Sequence, residues 1–280
     1  MKNRANKVIV PIDLSPEAKE VVATSKNLAR LSGAQLLFLH VREPQPVAFS
    51  SFTGFSDASL FKTEMKEFSK IIGKISKKHK IQIETGNPSV EIRKLATREK
   101  AEIIIVGSHD KQSMTRLLLG SVSDSVAREA QQSVWIVKGR HQKIRKIFVP
   151  IDGSEGSLEA LSIAMKLAHQ MKAEVQPVSI SEFAYVPSLS YVDPKSYNQD
   201  LLKRRKKEID FCLKKMSVDD KVLPAIVKMG NAAHDLPLLV KKTKSDLVVM
   251  STHSRKGLVF TLLGKVAAHM IHHSPSSVFL

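Results

Sequence analysis

Residues 103–126, IIIVGSHDKQSMTRLLLGSVSDSV, read as a strand, a glycine-bounded loop and a helix. That arrangement can hold phosphate. Gly107 lets the backbone turn and approach a ligand, and amides at the N-terminus of the helix after Gly120 and Ser121 can meet phosphate oxygens. Asp110 stands within the loop, where its carboxylate would face like charge. Two unit charges about 4 Å apart repel by about 4 kcal/mol at an intermediate dielectric, and half of that costs tenfold or more in affinity. Aspartate tolerates a left-handed conformation better than most residues, so the loop can keep its shape. A second such stretch, MSTHSRKGLVFTLLGKVAAHM, has Ser251 where the first has Gly107, Ser254 in place of Asp110, and Lys265 after Gly264. His253, Arg255, Lys256 and Lys265 make it cationic, and lysine attracts phosphate as a point charge. Two readings stay open for each loop: a divergent anion pocket, or a loop that kept its shape and lost its ligand. His109 and Gly257 belong with the candidate contacts.

Other chemistry is thin. Neither a glycine-flanked nucleophile elbow nor a complete Walker loop is present. KKMS, Lys214 to Ser217, resembles the lysine loop of nucleotidyl transferases, but the histidine signature those enzymes need after the first strand is missing from DLSPEA and DGSEGS. Lysines favoured at a helix end explain it more simply. His269, His272 and His273 have a spacing that could hold a metal ion, yet no nearby carboxylate or cysteine completes a set, so exposed histidines at a helix C-terminus are expected and no metal. Cys212 is the only cysteine, which leaves no disulfide, no redox pair and no thiolate cluster within the chain; a buried helical thiol is the expectation.

The elements that position these residues occur twice. KVIVPIDLSPEAKEVVATSKNLARLSGAQLLFLHV begins at Lys7 and KIFVPIDGSEGSLEALSIAMKLAHQMKAEVQPVSI at Lys146, and they align without a gap. The offset is 139 at Asp13 and Asp152 but 144 at Gly120 and Gly264, so the second copy carries five extra residues between Ile180 and Gly230. In the first copy VIVPID reads as a buried strand. Ser15 then reads as an N-cap with Pro16 at the first helical position, and Gly33 as a left-handed cap after Ser32. LLFLHV reads as a second strand. Phe61, Met65, Phe68, Ile72 and Ile75 form a helical stripe, KIQIE a more exposed strand, Pro88 to Arg98 a short helix, and EIIIV a strand buried on both faces. A helix over about Met114 to Ala130 and the strand SVWIVK finish the copy. Strands alternating with helices, without hairpin signals, indicate parallel sheets with right-handed crossovers. Two doubly wound α/β domains are expected, 1–142 and 143–280, meeting near Gly139 to Lys143.

The chain has 280 residues and is 42% hydrophobic, enough for two cores. It contains no apolar run of about 18 residues, and its first residues pass from a charged segment straight into a strand pattern, so a cytoplasmic protein without a membrane partner is expected.

In its tandem arrangement the sequence resembles the universal stress protein family. The resemblance rests on VPIDLS and VPIDGS, TGNPSVEI and MGNAAHDL, and the two loop stretches above, in the same order twice. It implies five-stranded, Rossmann-like sheets of the adenine nucleotide alpha hydrolase-like kind, with adenine nucleotide such as ATP at the carboxyl ends of the strands. Nucleotide-binding members carry G-x2-G-x9-G-[ST]. Gly107, Gly120 and Ser121 match it and Asp110 does not; in the second copy only Gly264 matches. Asp13 and Asp152 correspond to the family's acidic residue near adenine and ribose, Val41 and Ile180 to an apolar position beside the base. Aspartate at a strand end is also a common helix-entry residue. The resemblance further implies that the domains pack as a pseudo-dimer through SVWIVK and SVFL, and a homodimer of the whole chain is left open.

The formal charge is +17, split as +9 over residues 1–142 and +8 over the remainder. The densest run, KRRKKE from Lys203 to Glu208, lies in a helical pattern, and a solvated helix face is the default. Nucleic acid is therefore not the expected partner. The expected function is a non-enzymatic stress-response protein with degenerate adenine-nucleotide sites; the alternatives are a basic nucleic-acid-associated protein or a weak ATP hydrolase.

Overall fold

The computed structural model describes residues 6–44, 57–108, 119–139, 143–183, 193–252 and 263–280. They form two compact units, Met1–His141 and Gln142–Leu280. In the first, β1 (Lys7–Pro11), α1 (Ala18–Ser32), β2 (Gln35–Arg42), α2 (Asp57–Ile72), β3 (Lys80–Thr85), α3 (Pro88–Arg98), β4 (Ile103–Gly107), α4 (Ser121–Glu129) and β5 (Ser133–Val137) follow one another. The strand order is β3-β2-β1-β4-β5 and every pairing is parallel. The second unit repeats it with β6 (Lys146–Pro150), α5 (Glu155–Met171), β7 (Glu174–Ser181), α6 (Pro194–Lys215), β8 (Ile226–Met229), α7 (Ala232–Thr243), β9 (Leu247–Val249), α8 (Lys265–His273) and β10 (Ser277–Phe279), in the order β8-β7-β6-β9-β10.

Burial follows the sequence pattern. Ile9, Val10, Leu36, Phe38, Leu39, Ile104 and Ile105 are fully enclosed, as a central parallel strand covered by helices on both faces requires. β3, at the edge, has no fully buried residue. Phe68 and Ile72 of α2 are buried against this sheet, whereas Phe61 is exposed. The stripe stops one residue past Ile72, because Gly73 turns the chain with φ of 61°; Ile75 lies beyond the helix. In the segment that carries the five extra residues of the second copy, α6 has 22 residues against 16 in α2.

Two helix starts differ from the sequence reading. α1 begins at Ala18, and Ser15 does not cap it: its hydroxyl donates to Asp13 Oδ1 at 2.7 Å, and the first turn is closed by backbone bonds such as Ala18 N–H to the Ser15 carbonyl. Ser154 donates to Asp152 in the same way and still caps its helix, so the donation is not what sets Ser15 apart; the backbone turn from Ser15 to Ala18 is what carries the chain into α1. The helix expected from about Met114 begins, within the described residues, only at Ser121, with Gly120 in an extended conformation as its cap; the earlier part lies outside them.

Candidate functional site

The candidate residues gather where open α/β sheets place ligands, at the carboxyl ends of the strands beside the switch point between β1 and β4. Pro11 of β1 lies opposite Leu39 of β2, and Ile12 N–H donates to the Leu39 carbonyl at 2.8 Å, so Asp13 emerges next to the end of β2. Val41, half-buried, is the penultimate residue of β2. On the other side of β1, Gly107 ends β4, and Ser108 N–H bonds the Val137 carbonyl. His40, buried beneath this rim, holds the Ile12 carbonyl through Nδ1 at 2.8 Å and packs on Phe68. Asp152, Ile180 and Ser251 occupy the matching ends of β6, β7 and β9. His109, Asp110, His253, Ser254, Arg255, Lys256 and Gly257 lie outside the described residues.

Both acidic residues are held by the serine two positions on. Asp13 Oδ1 accepts from Ser15 N–H at 3.1 Å as well as from its hydroxyl. Asp152 Oδ1 accepts from Ser154 N–H at 3.0 Å and from the Ser154 hydroxyl. Desolvation works against the Asp152 charge, but the bonds from Ser154 and Ser157, with the nearby Arg205 charge, outweigh it and hold the carboxyl below its usual range. Ser154 also caps α5, accepting from Ser157 N–H, while Arg205 of α6 donates to the Asp152 carbonyl at 3.0 Å. The turn between these groups needs a left-handed residue: Gly153 has φ of 79° and Leu14 has φ of 63°.

The phosphate-type loop is closed in the same way in both copies. Gly120 N–H bonds the Ser108 carbonyl at 3.1 Å, and Gly264 N–H bonds the Thr252 carbonyl at 2.9 Å. A side chain at 264 would start 2.9 Å from that carbonyl, so closure demands glycine there. α4 and α8 begin with these glycines and have no side-chain cap, whereas Asn87, Ser154, Asp193 and Asn231 cap α3, α5, α6 and α7. An uncapped first turn leaves its amides for a ligand or for water. In the first copy Ser121 is exposed and the carboxylate in that turn, Asp124, is paired with Arg128 at 2.8 Å. In the second, Lys265 takes the first helical position.

Gly107 has a packing reason as well. A Cβ there would sit 3.3 Å from Val21 Cγ2 of α1. The aligned pair in the second copy is Ser251 and Ala160, a larger residue at the strand end and a smaller one on the helix. Loss of the first glycine in the second copy is thus offset on the facing helix. Ser123, not singled out from the sequence, donates its hydroxyl to the Gly107 carbonyl and ties α4 to the strand end; its counterpart is Ala267. The third shared motif is a helix start: Asn87 accepts from Val90 N–H and Asn231 from His234 N–H. Asp235 accepts from His234 Nδ1 and Asn231 N–H, which lower its pKa, and a Cβ at Gly230 would collide with its carboxylate. Glycine followed by asparagine here builds a cap.

The histidines of α8 are less exposed than expected, since of the three only His273 is exposed while His269 and His272 are half-buried. His269 and His273 stack with centroids 4.0 Å apart. Desolvation and then the charges of His273, His234 and His272 lower the His269 pKa. Among the described residues, no group of three or more His, Cys, Asp or Glu is placed to hold a metal ion. Cys212 is half-buried on α6, its Sγ about 4.0 Å from where a Cβ on Gly153 would lie.

The model of the Universal stress protein family matches twice, over residues 5–138 and 143–280. The chain belongs to this family. It is 24% identical over 286 residues to a universal stress protein of Mycobacterium tuberculosis, an alignment covering 95% of this chain and 93% of that one. A universal stress protein of Methanocaldococcus jannaschii is 29% identical over 143 residues, 49% of this chain and 84% of its own length. A solved universal stress protein from Archaeoglobus fulgidus shares the fold, with a TM-score of 0.64, 18% identity and coverage of 98% of this chain and 95% of that chain. This universal stress protein therefore has two family domains in one chain. No helix among its described residues is long and apolar enough to cross a membrane.

Proposed function

We propose that the chain is a non-enzymatic stress-response protein of the cytoplasm whose first domain takes an adenine nucleotide weakly at the carboxyl ends of β1, β2 and β4. The observation that supports this reading most is the uncapped start of α4, closed against β4 by Gly120 and followed by an exposed Ser121. Phosphates would meet the amides of that first turn, Asp13 would face the ribose, and Val41 would lie beside the base. Asp110 weakens the site by like charge. The second domain is the poorer nucleotide site, because only Gly264 matches the family's loop pattern, although Lys265 gives it an attractive charge.

Mass spectrometry of small molecules released from the purified protein, followed by ATP titration, tests the reading. ATP is expected to bind the parent weakly and Asp110→Gly about tenfold or more tighter, consistent with removal of part of a like-charge repulsion. Ligand at a hundred times its dissociation constant stabilises by about 2.7 kcal/mol, a readable thermal shift. Absence of any adenine-nucleotide response in both proteins overturns the site, and steady ATP turnover by the parent overturns the non-enzymatic assignment.

A further inference from the structure

α2 and α6 occupy the same place in their two domains, so each shows what the fold asks of the other. α2 carries three Lys and Arg against three Asp and Glu. α6 carries eight against three. Packing does not call for the difference: only Ile209 and Leu213 of α6 are buried. The sequence-based expectation for this run is a solvated face, and two aromatic side chains do not fit it. Tyr197 and Phe211 are 46% and 68% exposed. Lying 14 residues apart with Arg204 midway, they share one outward face, since residues seven apart on a helix fall nearly in line. Lys207, Lys214 and Lys215 flank that line. Asp200 and Glu208 also reach this face, but they are paired with Lys203 and Arg205. Among the described residues, Arg204, Lys207, Lys214 and Lys215 have no acidic partner, and neither ring has a ring or cation contact. Exposed Phe61 of α2 differs, because Arg42 lies over its ring at 5.3 Å.

We propose that the outward face of α6 is a docking surface for single-stranded nucleic acid, with the four unpaired cations tracking phosphates and Tyr197 and Phe211 stacking bases. The rings are about 21 Å apart along the helix, so a strand following the cations passes both. Cations interleaved with exposed rings match what such strands need: a positive track and sequence-tolerant stacking platforms. An anionic membrane surface fits less well, because the apolar side of α6 faces its own domain and an interfacial helix must turn that side to lipid.

The test is fluorescence anisotropy of a labelled mixed-sequence 20-mer of single-stranded RNA with the full chain, without nucleotide, from 50 to 200 mM NaCl. Binding is expected to weaken steeply with salt. Neutralising Arg204, Lys207, Lys214 and Lys215 to Gln should weaken it at least tenfold and flatten the slope of log affinity on log salt by up to about 2.8, at about 0.7 per phosphate contact. Tyr197→Ala with Phe211→Ala should lower affinity about tenfold and leave the slope unchanged, the signature of lost stacking. Lys62, Lys66 and Lys70 of α2 changed to Gln are the control and should change little. Absence of binding at 50 mM NaCl overturns the proposal. So does a loss as large in the α2 control as in the α6 variant, or binding to phosphatidylserine vesicles or polyglutamate that the aromatic pair controls while RNA binding does not. ATP titration of the α6 variants reports separately on the nucleotide site, which none of these substitutions touches.

Discussion

Leu14 and Gly153 occupy the same left-handed position after the first strand of their domains. Glycine enters that region freely, while a side chain pays about 1–2 kcal/mol there. At 153 a Cβ would meet only Cys212 Sγ at 4.0 Å, an ordinary contact. Gly153→Leu is therefore expected to lose about 1–2 kcal/mol in urea unfolding, from the backbone alone. Leu14→Gly should change stability by less than about 1 kcal/mol, because relieved strain is offset by the freer unfolded chain. Equal losses in the two variants would show that the left-handed turn is not the cause. The neighbouring carboxylate gives a pH test. Asp152 is held below its usual range, so its folded state binds fewer protons than the unfolded state in the acid range. Its contribution is present above the unfolded pKa of about 3.9 and fades as pH falls through the lower folded value. Asp152→Asn should thus differ from the parent by a constant amount from pH 7 to about pH 5, and the gap should close in more acid solution. A gap that opens on acidification would refute the hydrogen-bond account.

At the scale of elements, where a helix starts depends on the backbone turn before it as well as on a side-chain cap. The sequence marks the start of α3 correctly, where Asn87 accepts from Val90 N–H and Pro88 takes the first helical position, and it marks the glycine end of α1 as well. Ser15 reads as a cap from sequence, but a backbone turn, Ala18 N–H to the Ser15 carbonyl, starts α1 instead. No one-dimensional pattern shows that exchange. The packing of α1 on β4 was equally hidden, since Gly107 and Val21 are far apart in the chain and Gly107 matches a ligand motif. If the glycine serves packing, Gly107→Ser should cost about 1–2 kcal/mol by overpacking against Val21. The cost should be at least halved in a Val21→Ala background, which reproduces the second copy's pair. A double-mutant cycle in urea measures this, and coupling energies for touching residues run from about 0.5 to 3 kcal/mol. Additive losses would return Gly107 to a role in the loop alone.

At the scale of the whole molecule, repetition made the two-domain α/β plan legible, because every strand and helix could be read twice. The two loops lie mostly outside the described residues, and the glycines that bound them, Gly107, Gly120 and Gly264, serve closure and packing as well as any ligand. Charge acts at this scale too. The net +17 is spread almost evenly over the two halves, so repulsion is long-ranged and the folded state bears more of it than the expanded one. Ion pairs oppose this, but an exposed one on α6, Lys203 with Asp200 at 3.2 Å, is worth about 0–1 kcal/mol. The two contributions respond differently to salt. The Debye length falls to about 10 Å at 0.1 M, which removes distant repulsion while contacts near 3 Å keep most of their attraction. The thermal midpoint should therefore rise by a few degrees between 20 and 300 mM NaCl, at about 2–4 °C per kcal/mol for domains of 150–250 residues. Chloride suits the measurement, because sulfate would also strengthen apolar burial. Neutralising Arg204, Lys207, Lys214 and Lys215 should raise the low-salt midpoint and shrink the salt response, since fewer like charges remain to screen. A midpoint that falls with NaCl would mean that ion pairs outweigh the net repulsion and that the positive charge does not limit folding.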